Sequence, residues 1–367
     1  MPKKILHIVP DLPTDGNALA EFACNLAKAQ VSAGCEVVIA ATAGENLAVV
    51  AFEAEEMGVR IGRFKPSGAR HFSREMLTNL RKVVRGAETV HVHGLRSFPV
   101  WFGCFCALVE KKHLVVSPHG GFNPEIMKHL PPADKFLAPL DLLFMKRAEV
   151  IHAASSLEES WILAQPLLKK SADRIVVAQP GIELPRLMPK MQEHDSRTLL
   201  FFGNLERVNG PDLLLDALAQ CDAHRNCRLI LCGADTGGIR RELEEQIERL
   251  GIGKKVEFRE PVTGMAKWRL FREADCVVFP TRGDNFGTTV AEALACGLPV
   301  ISTEAGPWKC LAEAQCGWCC GTSADGIAVA IRDMLYHYDE ELAEMGDRGK
   351  KFAEKQFSWN ATAEALS

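Results

Sequence analysis

Short apolar segments alternate with amphipathic segments along the first half of the chain. Six apolar runs predict β-strands, at residues 5–9, 36–41, 89–93, 114–117, 150–154 and 174–177. Helices with one apolar face are predicted between them, at 18–33, 74–84 and 137–147. Strands separated by helices pair in parallel, so this alternation predicts a doubly wound parallel sheet.

A second series of the same kind follows an interruption. The polar stretch 185–197 breaks the alternation and is typical of an interdomain linker. Beyond it, strands are predicted at 198–202, 228–232, 255–259 and 276–279, with helices at 211–219 and 240–250. The pattern predicts an α/β protein with Rossmann-like domains at 1–184 and 198–349. Because ligands of such sheets bind at the carboxyl ends of the strands, the two domains are expected to face a central cleft.

Composition agrees with two domains and narrows the class of protein. The chain has 367 residues, of which 47% are hydrophobic and 25% charged, as is typical of globular proteins. A net charge of −4 does not favour a nucleic-acid partner. The first apolar run is too short for an export signal, and the longest, at 98–109, is about half of a membrane span. Thirteen cysteines without extracellular spacing favour reduced thiols, and we expect a cytoplasmic protein.

One stretch of the N-terminal half is strongly basic. Eight basic residues between Arg60 and Arg85 face a single carboxylate in the sequence, Glu75. Such a stretch is consistent with a solvated helix face. It is also consistent with a surface that contacts an anionic membrane, at the inner face of the plasma membrane, or an acidic acceptor. The sequence leaves both interpretations open.

Two carboxylates surround a glycine turn after the last predicted strand. Gly287 permits a tight turn, and a short helix is predicted directly after it. The backbone N–H groups of residues 285–288 would then point away from the helix, which suits a hydroxyl-rich or anionic ligand. Asp284 before the turn and Glu292 inside the helix are placed to accept hydrogen bonds from two parts of one ligand.

This segment resembles the donor-sugar signature of the retaining nucleotide-sugar glycosyltransferases of family 4, which have the GT-B fold. In that signature a Glu-x7-Glu pair surrounds a Phe-Gly, and Asp284 stands where the first Glu is usual. Segments 303–308 (Thr-Glu-Ala-Gly-Pro-Trp) and 316–318 (Cys-Gly-Trp) resemble the branch that builds capsular and lipopolysaccharide chains. The resemblance extends from Lys4 to the last residues.

The resemblance implies roles for residues of the C-terminal domain. Glu292 would bind the nucleotide ribose, and Gly233 would lie beside the base. The hydroxyl groups of the donor sugar would be bound by one carboxylate and three backbone amides, those of Asp284, Asn285, Phe286 and Gly287.

The resemblance also implies roles in the N-terminal domain. His119 would contact the transferred sugar near the reacting bond, and Gly16 would approach the acceptor or the donor phosphate. His93 ends a predicted strand and His91 lies two residues earlier, so both should share one face, with His91 buried. Glu158 resembles a conserved glutamate of the family, but with a serine three residues before it the favoured interpretation is a capping box.

The chain departs from its relatives in the loop at residues 203–210. The family has Gly-Arg-x4-Lys-Gly there, and the Arg and Lys neutralise the diphosphate. Here Asn204 and Asn209 occupy those two positions, while Arg207 offers one charge within the loop. The sequence therefore predicts a diphosphate site with fewer cations than usual.

The implied activity is transfer of a hexose-type sugar from a nucleoside-diphosphate sugar to a glycan or lipid-linked acceptor, with retention of anomeric configuration. The resemblance implies no metal ion and no bound cofactor, and it places the reaction in polysaccharide or glycolipid biosynthesis. It also implies that the terminal segment, 350–367, forms a helix that crosses back to the N-terminal domain.

Three other functions remain open. A catalytically silent subunit that supports a partner enzyme is favoured by the two asparagines, Asn204 and Asn209. A sugar phosphorylase or an epimerase would use the same scaffold, although no evident set of phosphate-binding cations favours the phosphorylase. A dinucleotide-dependent redox enzyme is disfavoured, because no Gly-x-Gly-x-x-Gly follows the first strand of either domain.

Overall fold

A computed structural model describes residues 2–12, 18–43, 49–183, 196–221 and 227–367. The chain divides into two compact units, Met1–Gly181 with Ser358–Ser367, and Ile182–Phe357. Each unit has one parallel β-sheet with helices on both faces, so the predicted class of two Rossmann-like domains is confirmed.

The first unit has a seven-stranded sheet with the strand order β3-β2-β1-β4-β5-β6-β7. Its strands are β1 (Lys4–Asp11), β2 (Glu36–Thr42), β3 (Arg60–Phe64), β4 (Thr89–His93), β5 (His113–Ser117), β6 (Val150–Ala153) and β7 (Ile175–Val177). Its helices are α1 (Ala18–Ser32), α2 (Val49–Glu56), α3 (Arg74–Arg85), α4 (Phe98–Val109), α5 (Pro124–His129), α6 (Pro132–Met145) and α7 (Ser156–Leu163).

The second unit has a six-stranded sheet with the strand order β10-β9-β8-β11-β12-β13. Its strands are β8 (Arg197–Phe202), β9 (Cys227–Cys232), β10 (Val256–Arg259), β11 (Cys276–Phe279), β12 (Val300–Thr303) and β13 (Gly317–Cys320). Its helices are α8 (Pro211–Ala219), α9 (Arg240–Leu250), α10 (Gly264–Glu273), α11 (Thr288–Ala295), α12 (Cys310–Glu313), α13 (Ala324–Tyr336) and α14 (Asp339–Gln356).

The final helix, α15 (Trp359–Ala365), belongs to the first unit. Ala363 and Leu366 are buried against Phe22 and Leu26 of α1. The sequence placed the boundary of the terminal segment at residue 350, but α14 runs continuously through that position and the chain changes unit at Ser358. Most of the proposed linker, 185–197, lies outside the described residues, and β8 begins at Arg197.

Alternation along the strands gives the first sheet two different faces. On one face, Leu6, Val90 and Leu114 pack with α3 and α4 in an apolar core. The opposite face carries aliphatic side chains at β1 and β2, under α1 and α2. Toward β4, β5 and β6 that same face becomes polar, with a buried group formed by His7, His91, His93, Ser117 and His152.

Candidate active site

Glycines bring the strand ends of the second sheet close together. Gly233 follows β9 with a φ of 159°, and a Cβ there would lie 1.9 Å from the carbonyl oxygen of Gly203, which follows β8. Gly210 has a φ of 74°, and a Cβ there would lie 2.0 Å from the carbonyl oxygen of Pro280. Side chains at Gly233 and Gly210 would therefore force the loops apart.

The turn between β11 and α11 is built around the carboxylate of Asp284. Its Oδ1 accepts a hydrogen bond of 2.8 Å from the backbone N–H of Phe286. Burial raises the pKa of Asp284, and the hydrogen bonds from the amides of Phe286 and Gly287 act in the opposite direction. The amide of Phe286, which the sequence analysis expected to be available to a ligand, is therefore already bonded to Asp284.

Phe286 and Gly287 shape this turn rather than extend into solvent. The ring of Phe286 is buried and packs against Trp308 and Phe357, with ring centroids 5.5 Å from each. The indole N–H of Trp308 donates to the carbonyl of Phe286. Gly287 has a φ of 75° at the start of α11, where a Cβ would lie 2.9 Å from the ring of Phe279. The ring of Phe286 is therefore unavailable to a ligand, and its backbone N–H and carbonyl are already bonded to Asp284 and Trp308.

Glu292 of α11 is paired with a cation that the sequence analysis missed. Lys267 of α10 places its Nζ 2.7 Å from Glu292 Oε1, and both side chains are largely buried. The ammonium also lies 4.6 Å from the centre of the Trp268 ring. Lys267 and Glu292 lie 25 residues apart in the chain, and no motif links them.

The loop between β8 and α8 is closed by contacts of its own. The side-chain amide of Asn209 donates to the carbonyl of Asn204 at 2.9 Å. The guanidinium of Arg207 is exposed and pairs with Glu242 of α9, and it lies 4.0 Å from Asp212. Arg207 would have to leave these carboxylates to reach a phosphate.

Arg282 fixes this loop to the β11–α11 turn and was also missed by the sequence analysis. Its guanidinium forms two hydrogen bonds of 2.7 and 2.8 Å with the carboxylate of Asp212. Its backbone N–H donates to Val208 at 2.7 Å. A bidentate pair of this kind holds both partners in one geometry.

His119 lies in the loop after β5 with a φ of 49°, a left-handed conformation that non-glycine residues rarely adopt. The amide of the next residue, Gly120, donates to Oε1 of Glu158, whose Oε2 accepts from Ala154 at 2.7 Å. The predicted cap at Ser155 is present, since its Oγ accepts from the amide of Glu158. Glu158 therefore also anchors the His119 loop, which the capping interpretation did not include.

Five histidines lie together around the ends of β1, β4, β5 and β6: His7, His91, His93, His119 and His152. His91 is fully buried, as predicted from the alternation of β4. Burial lowers the pKa of His7 and of His152 to about 4 and that of His119 to about 3. The pKa values of His91 and His93 are well below the ordinary value, first because of burial and then because of the neighbouring imidazoles.

Three other predictions concern Gly16, the basic stretch at residues 60–85 and the membrane. Gly16 lies outside the described residues. The basic stretch is partly neutralised by carboxylates from elsewhere: Arg60 pairs with Glu36, Arg63 with Glu55, Arg70 with Asp134, and Arg81 and Arg85 with Glu110. None of the described helices is long and apolar enough to cross a membrane.

Comparisons with known proteins agree with the two-domain division. Residues 187–352 match the family model "Glycosyl transferases group 1", and residues 17–181 match the "Glycosyl transferase 4-like domain". Together the matches cover about nine tenths of the chain. The chain therefore belongs to the group 1 glycosyltransferases of the GT-B fold.

Curated relatives are similar over part of their length. The D-inositol 3-phosphate glycosyltransferase of Corynebacterium jeikeium (strain K411) is 33% identical over 215 residues, which are 52% of this chain and 50% of the relative. The enzyme of the same name from Corynebacterium glutamicum (strain R) is 32% identical over 214 residues, 53% of this chain and 51% of the relative. The chain thus spans about half the length of the curated relatives it matches.

Solved structures share the fold over nearly the whole chain. Anabaena HepE in complex with UDP-glucose has a TM-score of 0.77 at 18% identity, covering 99% of this chain and 98% of that one. WaaG, a glycosyltransferase involved in lipopolysaccharide biosynthesis, has a TM-score of 0.72 at 16% identity, with coverages of 99% and 98%. At these identities the similarity shows the fold alone.

Proposed function

We propose that this protein transfers a hexose-type sugar from a nucleoside-diphosphate sugar to a glycan or lipid-linked acceptor, with retention of anomeric configuration and without a metal ion. The observation that carries the proposal is the β11–α11 turn. Asp284 binds the amides of Phe286 and Gly287 directly before α11, and Glu292 inside α11 is paired with Lys267. This turn lies within the residues that match the group 1 family. One neighbour in fold, HepE, is in complex with UDP-glucose, which supports a nucleotide-sugar donor.

We assign each part of the nucleotide-sugar substrate to residues of the protein as follows. Glu292 accepts hydrogen bonds from the ribose, with Lys267 holding its carboxylate in place. Asp284 and the backbone of residues 285–287 bind hydroxyls of the donor sugar, for which the amide of Phe286 has to exchange its bond to Asp284 for one to the sugar. His119 contacts that sugar near the reacting bond. Gly233 lies beside the base. The loop that contains Asn204, Arg207 and Asn209 approaches the diphosphate, while Gly16 approaches the acceptor or phosphate.

In the proposed reaction, the bond between the anomeric carbon and the diphosphate oxygen breaks. The acceptor oxygen bonds to the same carbon from the same face, and its proton passes to the departing diphosphate. No side chain needs to act as a nucleophile, so catalysis depends on positioning the two substrates and on stabilising the leaving group.

The test is calorimetric titration of the full chain with UDP-, GDP-, ADP- and CMP-sugars, followed by transfer assays with the donor that binds. Acceptors are a glycan, a lipid-linked sugar and inositol phosphate, the last because of the names of the curated relatives. NMR of the product reports the anomeric configuration, and a parallel assay with a chelator tests metal independence. Failure of every nucleotide sugar to bind would contradict the proposal.

A silent subunit is the second candidate, because Asn204 and Asn209 stand at the positions where the family resemblance implies Arg and Lys, and Arg207 is held by Glu242. It predicts nucleotide binding without turnover for any acceptor. Measurable turnover would exclude this candidate if Asp284→Asn reduces it and the control variant Asp325→Asn does not. Asp325 is an exposed residue of α13 in the same unit.

We also propose that the protein works in the cytoplasm with peripheral contact to an anionic membrane. Arg74 and Lys82 of α3 supply the support, since both are exposed and no ion pair is formed by either among the described residues. Flotation with vesicles of anionic or neutral lipid tests this contact. Equal recovery with both lipids, or no recovery with either, would contradict it.

A further inference from the structure

The buried histidines form a hydrogen-bond chain whose direction can be derived. It starts at the terminal segment, where the Ser367 hydroxyl donates to the carbonyl of Ala363 at 2.5 Å. Having used its hydrogen, Ser367 Oγ accepts from the side-chain N–H of Gln30 at 3.3 Å. This orients the Gln30 amide so that its oxygen faces His7 Nε2 at 2.7 Å.

The amide oxygen of Gln30 can only accept, so His7 Nε2 must carry the hydrogen. A neutral imidazole has one N–H, which leaves His7 Nδ1 as an acceptor for His93 Nε2 at 2.9 Å. His93 Nδ1 is then an acceptor for His119 Nε2 at 3.0 Å. The chain therefore leaves Nδ1 as the lone-pair nitrogen of His119.

A second hydrogen-bond chain in the same cluster fixes the tautomers of the two remaining histidines, His152 and His91. His152 Nε2 donates to the carbonyl of Ala178 at 2.8 Å, so its Nδ1 accepts from the Ser117 hydroxyl at 2.7 Å. Ser117 Oγ in turn accepts from His91 Nε2 at 2.6 Å. This direction leaves His91 Nδ1 with a lone pair and no hydrogen, and that buried atom has no hydrogen-bond partner among the residues that the structure describes.

We infer that Gln30, His7 and His93 are positioning residues that hold His119 as the neutral tautomer protonated at Nε2. In this form His119 accepts a hydrogen bond through Nδ1, so its partner is a hydroxyl group of the substrate and not a diphosphate oxygen. The assignment rests on the proposed contact between His119 and the transferred sugar. The lowered pKa values of His7 and His119 agree with neutral rings.

A metal ion is the competing explanation for the cluster. His7, His91 and His93 each offer one nitrogen, and the three atoms lie within 4.8 Å of one another. Metal binding needs a lone pair on all three, whereas the derived chain places a hydrogen on His93 Nε2. A metal would therefore reverse the His93–His119 hydrogen bond and move the hydrogen of His119 to Nδ1.

The decisive measurement is long-range ¹H–¹⁵N correlation NMR of the full chain labelled at histidine, which reports the tautomer of each ring. We expect all five rings of the cluster to be neutral and protonated at Nε2. A His119 ring protonated at Nδ1 would overturn the inference. So would zinc retained at one ion per chain and released by His91→Ala.

Variants at Gln30 test the direction of the chain. Gln30→Met removes the acceptor, so the His119 tautomer should become mixed. The kcat/KM for transfer should then fall by the fraction of His119 that loses its Nδ1 lone pair, about twofold for an equal mixture of the two tautomers. Gln30→Glu restores an acceptor and should restore the tautomer. Gln165→Met is the matched control, since Gln165 lies just after α7 and its side-chain amide donates only locally, to the carbonyl of Trp161 at 3.2 Å. An unchanged tautomer in Gln30→Met would contradict the inference.

Binding of UDP separates this inference from the proposed function. UDP has no transferred sugar, so Gln30→Met should bind it as tightly as the parent protein. If UDP and UDP-sugars bind neither protein, the proposed function fails while the tautomer result stands. If Gln30→Met does not fold, Ser367→Ala removes the group that orients the Gln30 amide and should also mix the His119 tautomer.

Discussion

At the scale of single residues, the β11–α11 turn carries most of the proposed donor binding. Its two carboxylates have different surroundings: Asp284 accepts from backbone amides, whereas Glu292 is bonded to the ammonium of Lys267. The sequence predicted both carboxylates, because their spacing surrounds a glycine turn. It did not predict Lys267, because its contact with Glu292 depends on the packing of α10 beside α11.

Replacement of either carboxylate should reduce transfer strongly. Asp284→Ala and Glu292→Ala each remove a charge-assisted hydrogen bond of about 1.5 to 3 kcal/mol, or roughly ten- to hundredfold in kcat/KM. Steady-state kinetics with the identified donor measure the loss, and circular dichroism checks the fold. Full activity in both variants would show that the proposed site is wrong.

Restoring the two missing cations should strengthen diphosphate binding. Asn204→Arg combined with Asn209→Lys adds two charges to an unchanged loop frame and should tighten UDP or GDP binding at least about tenfold, less so at high salt. Isotherms at two salt concentrations measure this effect. Arg207→Ala is the comparison. If Arg207→Ala abolishes nucleotide binding while the double variant binds only slightly more tightly than the parent protein, Arg207 leaves Glu242 to bind the phosphate. Unchanged binding in all variants would show that the loop does not contact phosphate.

At the scale of secondary structure, the alternation of side chains between the two faces of a strand predicted which residues share a face, as for His91 and His93 of β4. It did not predict that His7 and His152 join them, because that depends on the strand order β1-β4-β5-β6. Likewise, much of the positive charge predicted for the basic stretch is paired with carboxylates, such as Glu110, that come from other elements. Contacts between distant segments leave no periodic signal in the sequence.

The last helix provides a test of packing at this scale. Leu366 is 3% exposed and packs with α1, so Leu366→Ala should lower the free energy of unfolding by about 2 to 5 kcal/mol. Removal of Ser358–Ser367 should expose the apolar surface of α1 and lower solubility. Thermal unfolding compares both with Glu364→Ala, an exposed control on the same helix. A truncated protein that is soluble, monomeric and equally heat-stable would contradict this packing.

At the scale of the whole molecule, the buried histidines make stability depend on pH. The pKa of His7 is about 4 in the folded state against 6.5 for the ordinary group, so the unfolded state binds more protons between those values. Stability is therefore complete above about pH 6.5 and falls as the pH drops toward 4. For His7 alone the loss reaches roughly 3 kcal/mol.

We expect the unfolding temperature of the first unit, which contains these histidines, to fall as the pH is lowered from about 7.5 to about 5. His152→Gln should reduce this dependence, since the pKa of His152 is also lowered to about 4. His129→Gln replaces an exposed histidine at the end of α5 and serves as the control. Calorimetry at a series of pH values measures the slope. An equal slope in His152→Gln and the parent protein would contradict the burial of a neutral ring.

The directed chains also limit how this domain can evolve. A single apolar substitution at His7 or His93 would leave a buried nitrogen of its neighbour unpaired, whereas replacing the whole row by apolar side chains would leave no orphan. A chain with only part of the row is therefore expected to be less stable than one with the whole row or with none of it, so the stability effects of these substitutions are not additive.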